Sequence, residues 1–405
     1  MIPPEAEGHK SKRITSVFLG FLCLSLCLSG PYVRPVRTAT IPDHVYGREL
    51  NDLYGWWAAI YPNWPFVPSL ATVWPVPSLW TPSATWGDLI AQTPAQIRRS
   101  AEQLTAYGSA LDVIEFNPNP AYPDFVQWKQ GYFPQLEAMG RPFMLAYEHI
   151  NATRFHPVAE TGPLALAYDM NDPYNRAVFT EDIDFMYREV IVPYLDYYVT
   201  LNGKAVIYLW NTDSMFGDFG SLLNEVKARY PVAFIGSEWH KNDADAAAMG
   251  RFDAMDGFMA YGILDPNNAG NYQAAITEQY WSAHVFSNFL REYESKHPGK
   301  YRLFIPTFQA AFDDSRFPGR TNALGKPRIV PLYPKTREEL AGAAQTLKTA
   351  TVDAHIFDNY GPLVIYNEVF EGAAVIENQP YAVPSGEYHG FGLERLQIVK
   401  QYFGP

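Results

Sequence analysis

Short runs of consecutive apolar residues recur along the chain, each followed by a polar cluster and then by a stretch with helical spacing. The runs are Leu111–Phe116, Pro142–Tyr147, Ala205–Leu209, Val232–Ile235, Gly257–Tyr261, Leu303–Pro306 and Leu363–Tyr366. They are continuous rather than alternating, as strands covered on both faces require. Helices are predicted between them over Thr93–Tyr107, Asp182–Val199, Ser221–Arg229, Gln273–His297, Thr336–Thr349 and Leu393–Tyr402. Several carry start or stop signals. Thr93-Pro94 is a cap followed by a first-turn proline, Thr336-Arg337-Glu338-Glu339 resembles a capping box, and Pro298-Gly299 closes the long fourth pattern. The aromatic segment Tyr54-Gly55-Trp56-Trp57 is taken as the first strand. Strand and helix alternating over this length predict an α/β protein, a (β/α)8 barrel forming one catalytic domain, with a doubly wound sheet as second choice.

The N-terminus departs from this rhythm. Lys10, Lys12 and Arg13 precede the apolar segment Val17–Leu28, and small residues follow at Ser29 and Gly30. That order predicts an export signal over residues 1–29, too short for a comfortable span, with an uncleaved anchor as the alternative. A proline-rich linker is expected over 30–43 and the barrel domain over 44–405. The expected location is secreted or otherwise extracytoplasmic, with no membrane contact after signal cleavage. Cys23 and Cys27 both fall inside the signal, so the mature chain is expected to have no disulfide and no thiol chemistry. Asn151-Ala152-Thr153 is a glycosylation triplet, relevant only in a host that glycosylates exported proteins.

Charge narrows the partners. The formal net charge is −12, which argues against nucleic acid and anionic membrane surfaces. Aromatic residues make up 15% of the chain and charged residues only 18%. This balance suits an extracellular enzyme that stacks rings on sugars, and it equally suits a large aromatic core.

Candidate chemistry sits directly after the apolar runs. Glu148-His149 follows one, Trp210-Asn211-Thr212-Asp213 another, and Glu238-Trp239-His240 a third. Tyr261 ends a fourth, Asp313-Asp314-Ser315-Arg316 comes after a fifth, and Asn367-Glu368 follows the last. In a barrel these ends share one mouth. Glu368 and Glu371 lie three residues apart, flanked by apolar and aromatic residues and broken by Gly372. Such a pair is commonly a solvated helix edge. At a barrel mouth, two carboxylates in different environments meet the needs of glycosidic hydrolysis. No HExxH, CxxC or EF-hand spacing supports a metal, no glycine-rich phosphate loop supports a nucleotide, and no G-x-S-x-G elbow supports an esterase. No cofactor and no catalytic metal is expected.

The segment Asn367-Glu368-Val369-Phe370-Glu371-Gly372-Ala373-Ala374-Val375-Ile376-Glu377 resembles the Asn-Glu-Trp-His-Glu-Gly-Thr-Gln-Ile-Glu signature of family 99 glycoside hydrolases, the endo-α-mannosidase-like barrels. Weaker likenesses follow in the family's order. They are Leu53–Trp57, Leu145–Glu148, Phe234–Gly236, Phe252–Phe258, Phe304–Thr307 and Asp314–Arg316. The resemblance implies retaining hydrolysis within an α-mannoside-type chain, by way of a 1,2-anhydro sugar. It implies that Glu368 deprotonates the sugar 2-hydroxyl and that Glu371 acts as general acid, then general base. It further implies sugar-binding roles for Glu148 and Tyr261 and stacking roles for Trp56 and Trp57. Tyr54, Trp210, Glu238, Asn367 and Glu377 complete the expected substrate-binding set.

Two departures concern the substrate. Val369-Phe370 replaces the family's Trp-His, and Ala373-Ala374 replaces its Thr-Gln. The expectation is a secreted, endo-acting glycoside hydrolase on an α-linked, mannan-like polysaccharide or glycan. The alternative is a non-catalytic glycan-binding protein on the same barrel. A polysaccharide lyase or deacetylase is a third reading, without a visible Tyr/His base or metal triad.

Overall fold

The computed structural model describes residues 45–50, 98, 102, 105–106, 108–116, 118, 128–147, 154–159, 167–237, 251–259, 272–300, 302–305, 307–308, 334, 336–350, 363–366 and 393–403. The expected signal and linker, and the Asn151 triplet, lie outside them.

Eight strand positions make a closed parallel ring. In chain order they are β1 (Val45–Leu50), β2 (Ser109–Phe116), β3 (Phe143–Tyr147), β4 (Lys204–Leu209), β5 (Val232–Gly236), β6 (Gly257–Met259), β7 and β8 (Leu363–Tyr366). β7 is made of two pieces, Leu303–Ile305 and Thr307–Phe308. Each strand pairs in parallel with the next in sequence from β1 to β6. The first piece of β7 pairs with β6, its second piece pairs with β8, and β8 returns to β1. Pro306, which has no N–H to give a ladder, stands between the two pieces of β7. Closure leaves the ring itself without a free edge and brings its eight C-terminal strand ends to one side.

The expected (β/α)8 barrel is therefore the observed fold, with one correction. The place between β2 and β8 is filled by Val45–Leu50, which pairs in parallel with both, its register against β2 shifting between Tyr46 and Gly47. Val-Tyr-Gly-Arg-Glu-Leu is not an apolar run, so the pattern passed over it in favour of Tyr54–Trp57, which lie outside the described residues.

Burial explains the unbroken runs. All five residues of β3 and all five of β5 are buried, as is β4 after Lys204. The helices over the ring are α1 (Phe133–Met139), α2 (Pro173–Met186), α3 (Phe219–Arg229), α4 (Tyr272–Lys296), α5 (Arg337–Ala350) and α6 (Leu393–Phe403). Aromatic rings fill the layer between strands and helices. Phe133 stacks on Phe143 at 5.1 Å, Tyr147 meets Phe179 edge-on at 5.7 Å, and Phe179 meets Phe219 edge-on at 5.2 Å. These offset and edge contacts add to the burial of large apolar area.

α2 corrects the helix expected over Asp182–Val199. It starts nine residues earlier, where the Asp172 side chain accepts from the Tyr174 N–H and Pro173 occupies the first turn. A π turn over Tyr187–Ile191 extends it, and the chain then enters turns before Tyr198 bridges to Phe143. Tyr198 is a bracing residue: its hydroxyl accepts from the Leu145 N–H at 3.0 Å and donates to the Val206 carbonyl at 2.8 Å. α1, with the π turn Trp128–Tyr132 before it, was not predicted. At α5, the Thr336 hydroxyl accepts from the Glu339 N–H at 3.2 Å, as its capping pattern predicts.

Charges latch the strand starts, the end of a barrel that serves stability. Asp112 on β2 is fully buried and pairs with Arg141, itself 4% exposed, at 2.7 Å. Arg141 also donates to the Thr105 and Ser109 hydroxyls and to the Ser109 and Leu111 carbonyls. At the start of β6, Lys227 donates to both Asp256 oxygens, and Asp256 accepts from the Phe234 N–H of β5. Next to it, Gly257 is held against β7: a Cβ there would lie 2.7 Å from the Leu303 carbonyl oxygen and 2.8 Å from Ile235. Only glycine lets the two backbones approach so closely.

Candidate active site at the strand ends

The described side of the mouth is built from the ends of β3, β4 and β5. Tyr147, Leu209 and Gly236 lie side by side in the ladder. Beyond Leu209 the Trp210 N–H still donates to the Tyr147 carbonyl, at 3.3 Å. Trp210 is half-buried and packs on the core. Asn211 then takes a left-handed conformation (φ 48, ψ 50) that turns the chain off the strand. Thr212 and Ser237 lace the ends of β4 and β5 together. The Thr212 N–H donates to the Ser237 hydroxyl at 2.9 Å, and the Ser237 N–H donates to the Thr212 hydroxyl at 3.3 Å. Both residues are buried. This reciprocal pair fixes the backbone that leads into Glu238.

A buried polar network stands behind β3. The Tyr147 hydroxyl donates to Asp182 on α2 at 2.7 Å, and Arg154 donates to the other oxygen of the same carboxylate. Arg154 also pairs with Glu181 at 2.6 Å. Tyr147 and Arg154 bound the stretch 148–153, so one carboxylate ties down both of its ends. Burial raises Asp182 from the ordinary range to about 7 and outweighs the hydrogen bond from Tyr147 and the charge of Arg154, while Glu181 adds to the rise. Tyr147 is held well above its usual value, first by burial and then by Asp182. The pattern gave no warning of Asp182, an acid among the buried positions Val178, Phe179, Ile183 and Met186 of α2.

Of the expected site residues, only Trp210 is among the described ones. Tyr54, Trp56, Trp57, Glu148, Glu238, Tyr261, Asn367, Glu368, Glu371 and Glu377 lie outside them. The strands preceding four of them are described: β3 ends one residue before Glu148, β5 two before Glu238, β6 two before Tyr261 and β8 one before Asn367. Among the described residues no group of three His, Cys, Asp or Glu side chains is placed to hold a metal ion, and no helix is long and apolar enough to cross a membrane.

No family model matches the sequence, and no curated protein matches it. Solved structures do. A family 99 endo-α-mannosidase from Bacteroides thetaiotaomicron superposes with a TM-score of 0.55 at 12% identity, covering 90% of this chain and 97% of that one. A glycoside hydrolase-like protein superposes with a TM-score of 0.57 at 14% identity, covering 93% and 98%. The chain shares their fold.

Proposed function

We propose that this protein is an exported, retaining, endo-acting glycoside hydrolase of α-linked, mannan-like glycans. One observation carries the reading: Asn367-Glu368-x-x-Glu371-Gly372 follows directly on β8, the strand that closes an eight-stranded barrel of the glycoside hydrolase kind. The C-terminal strand ends are where such barrels keep their chemistry.

Glu368 starts ionised and Glu371 protonated, a split that repulsion between two close carboxylates favours. Glu368 takes the proton of the sugar 2-hydroxyl. The freed oxygen attacks the anomeric carbon as its bond to the leaving oxygen breaks, and Glu371 gives that oxygen its proton. A 1,2-anhydro sugar results. Glu371, now ionised, takes a proton from water, the water oxygen attacks the anomeric carbon, and the returning 2-oxygen recovers its proton from Glu368. Two displacements leave the anomeric configuration unchanged. Glu148 and Tyr261 hold the reacting sugar, with Trp56, Trp57 and Trp210 as apolar walls. Tyr54, Glu238, Asn367 and Glu377 complete the contacts. Val369-Phe370 and Ala373-Ala374 give this pocket fewer polar contacts than the family signature, and the sugar accepted differs accordingly.

Loss of a general acid costs about 10²–10⁴-fold in rate. Glu371→Gln should therefore lose turnover of natural glycans while still binding them, and Glu368→Gln should be inactive. Undiminished activity in Glu371→Gln sinks the acid/base assignment. Formation of a glycosyl azide by a small-residue variant of Glu368 points instead to an ordinary enzymatic nucleophile. A protein that binds α-glycans and hydrolyses none is the binding protein on the same barrel.

A further inference from the structure

The loops that follow β3 and β4 join above the barrel. Tyr168–Asp169 pairs in parallel with Met215–Phe216, and the Met170 N–H donates to the Phe216 carbonyl at 2.8 Å. Pro157 bridges to Tyr168 on the other side. This small bracket leaves large apolar side chains in solvent: Val158 is 50% exposed, Tyr174 45% and Phe216 44%. Among the described residues only Val192 and Val285 elsewhere are comparably bare.

The exposed aromatics are held rigidly. His156 and Tyr174 stack with centroids 3.9 Å apart and planes 8° apart. Beneath them Asn175 is buried, and it grips the His156 backbone in both directions. Its side-chain oxygen accepts from the His156 N–H at 2.7 Å, and its amide donates to the His156 carbonyl at 3.0 Å and to the Asp169 carbonyl at 3.1 Å. A buried amide with all these bonds satisfied fixes one arrangement of its surroundings. Tyr174 itself sits in the first turn of α2, next to the Asp172 cap. Carboxylates stand beside the pair and on the adjoining bracket. Asp172 faces His156 at 3.5 Å, Asp169 accepts from the Asn171 N–H at 2.8 Å, and Asp218 accepts from the Ser221 N–H at 3.1 Å. Each carboxylate uses one oxygen on the backbone, leaving acceptor capacity for a hydroxyl.

We propose that the His156–Tyr174 pair is an accessory platform that holds a neutral α-linked polysaccharide outside the catalytic cleft. The choice of a sugar chain rests on the hydrolase reading. Rigid, half-exposed aromatics offer contact area at little entropic cost. A pyranose presents one apolar face to a ring and a rim of hydroxyl donors to carboxylates. The acidic surroundings disfavour a polyanion. The pair stands on the segment after β3 and the first turn of α2, next to the bracket formed with the loop after β4.

The test is affinity electrophoresis in native gels containing soluble α-mannan or glycogen, with the full chain in its Glu371→Gln form and in that form carrying Tyr174→Ala. Tyr174 is exposed, so its truncation should leave the melting temperature unchanged. Retardation by either polymer that weakens roughly tenfold in Tyr174→Ala, and returns with Tyr174→Trp, supports the platform. No retardation by either polymer overturns it, as does equal retardation of both forms. In the otherwise wild-type enzyme, Tyr174→Ala should raise KM for the polymer and leave hydrolysis of a short aryl glycoside unchanged. Loss of the short-substrate activity contradicts an accessory site. Tyr174-dependent binding without any hydrolysis by the wild-type protein leaves the platform standing and removes the hydrolase reading. Glu371-dependent hydrolysis with no effect of Tyr174→Ala does the reverse.

Discussion

Arg141→Met is the sharpest test of how the barrel is held. In the folded protein Arg141 donates through Nε and Nη2 to one oxygen of Asp112, at 3.1 and 2.7 Å. Its other bonds reach Thr105, Ser109 and Leu111. Methionine fills much of the same volume and supplies none of these donors. It leaves Asp112, fully buried, without its guanidinium partner, while the Tyr132 hydroxyl still donates at 3.2 Å. Removing one member of a buried pair costs about 3–5 kcal/mol, most of it the penalty of the stranded charge. That is a large share of the roughly 5–15 kcal/mol by which domains are stable. Each kcal/mol lowers Tm by about 2–4 °C for 150–250 residues. Unfolding entropy grows with length, so a barrel this large shifts less per kcal/mol and should lose about 5 °C, and the urea midpoint should fall with an unchanged m-value. Arg141→Met combined with Asp112→Leu removes the stranded charge and should recover most of the loss. A single variant within about 1 kcal/mol of wild type, or a double variant no better than the single, refutes the claim that this pair latches β2 to the start of β3.

Asp182 gives a pH signature. Burial holds it at about 7 in the folded protein, above the ordinary carboxylate value of 3.8, so between these pH values the folded state binds the extra proton. The stability this confers is complete below the lower value and is lost as pH rises through 7. Melting curves of wild type should show that decline, and Asp182→Asn should flatten it; an identical pH profile in the variant contradicts the assignment. Gly257→Ala forces a Cβ against the Leu303 carbonyl and should cost about 1–3 kcal/mol by urea titration. A neutral result there means that β6 and β7 can separate without penalty.

Much of the fold was legible because barrel strands are buried on both faces and so become apolar runs. Leu363–Tyr366 was read with its exact bounds, and Tyr272–Lys296 and Phe219–Arg229 were each read to within two residues. β1 escaped because its pairing is carried by backbone groups through Tyr46, Gly47, Arg48 and Glu49, residues with no apolar signature. The start of α2 was written in Asp172-Pro173, but the polar first turn masked the period behind it. The candidate carboxylates are read from the sequence alone, as two acids after a strand, and lie outside the described residues. The Tyr147–Asp182–Arg154 network and the Thr212–Ser237 lacing left no sign in the sequence, since they join residues 25 or more positions apart that only folding brings together.

The most direct test of the hydrolase reading is proton NMR of the purified protein acting on an α-mannan oligosaccharide, following product length and the first anomer released. The account predicts internal cleavage that appears first as the α-anomer and disappears in Glu371→Gln. Release of the β-anomer first, or no cleavage of any α-linked glycan, contradicts it.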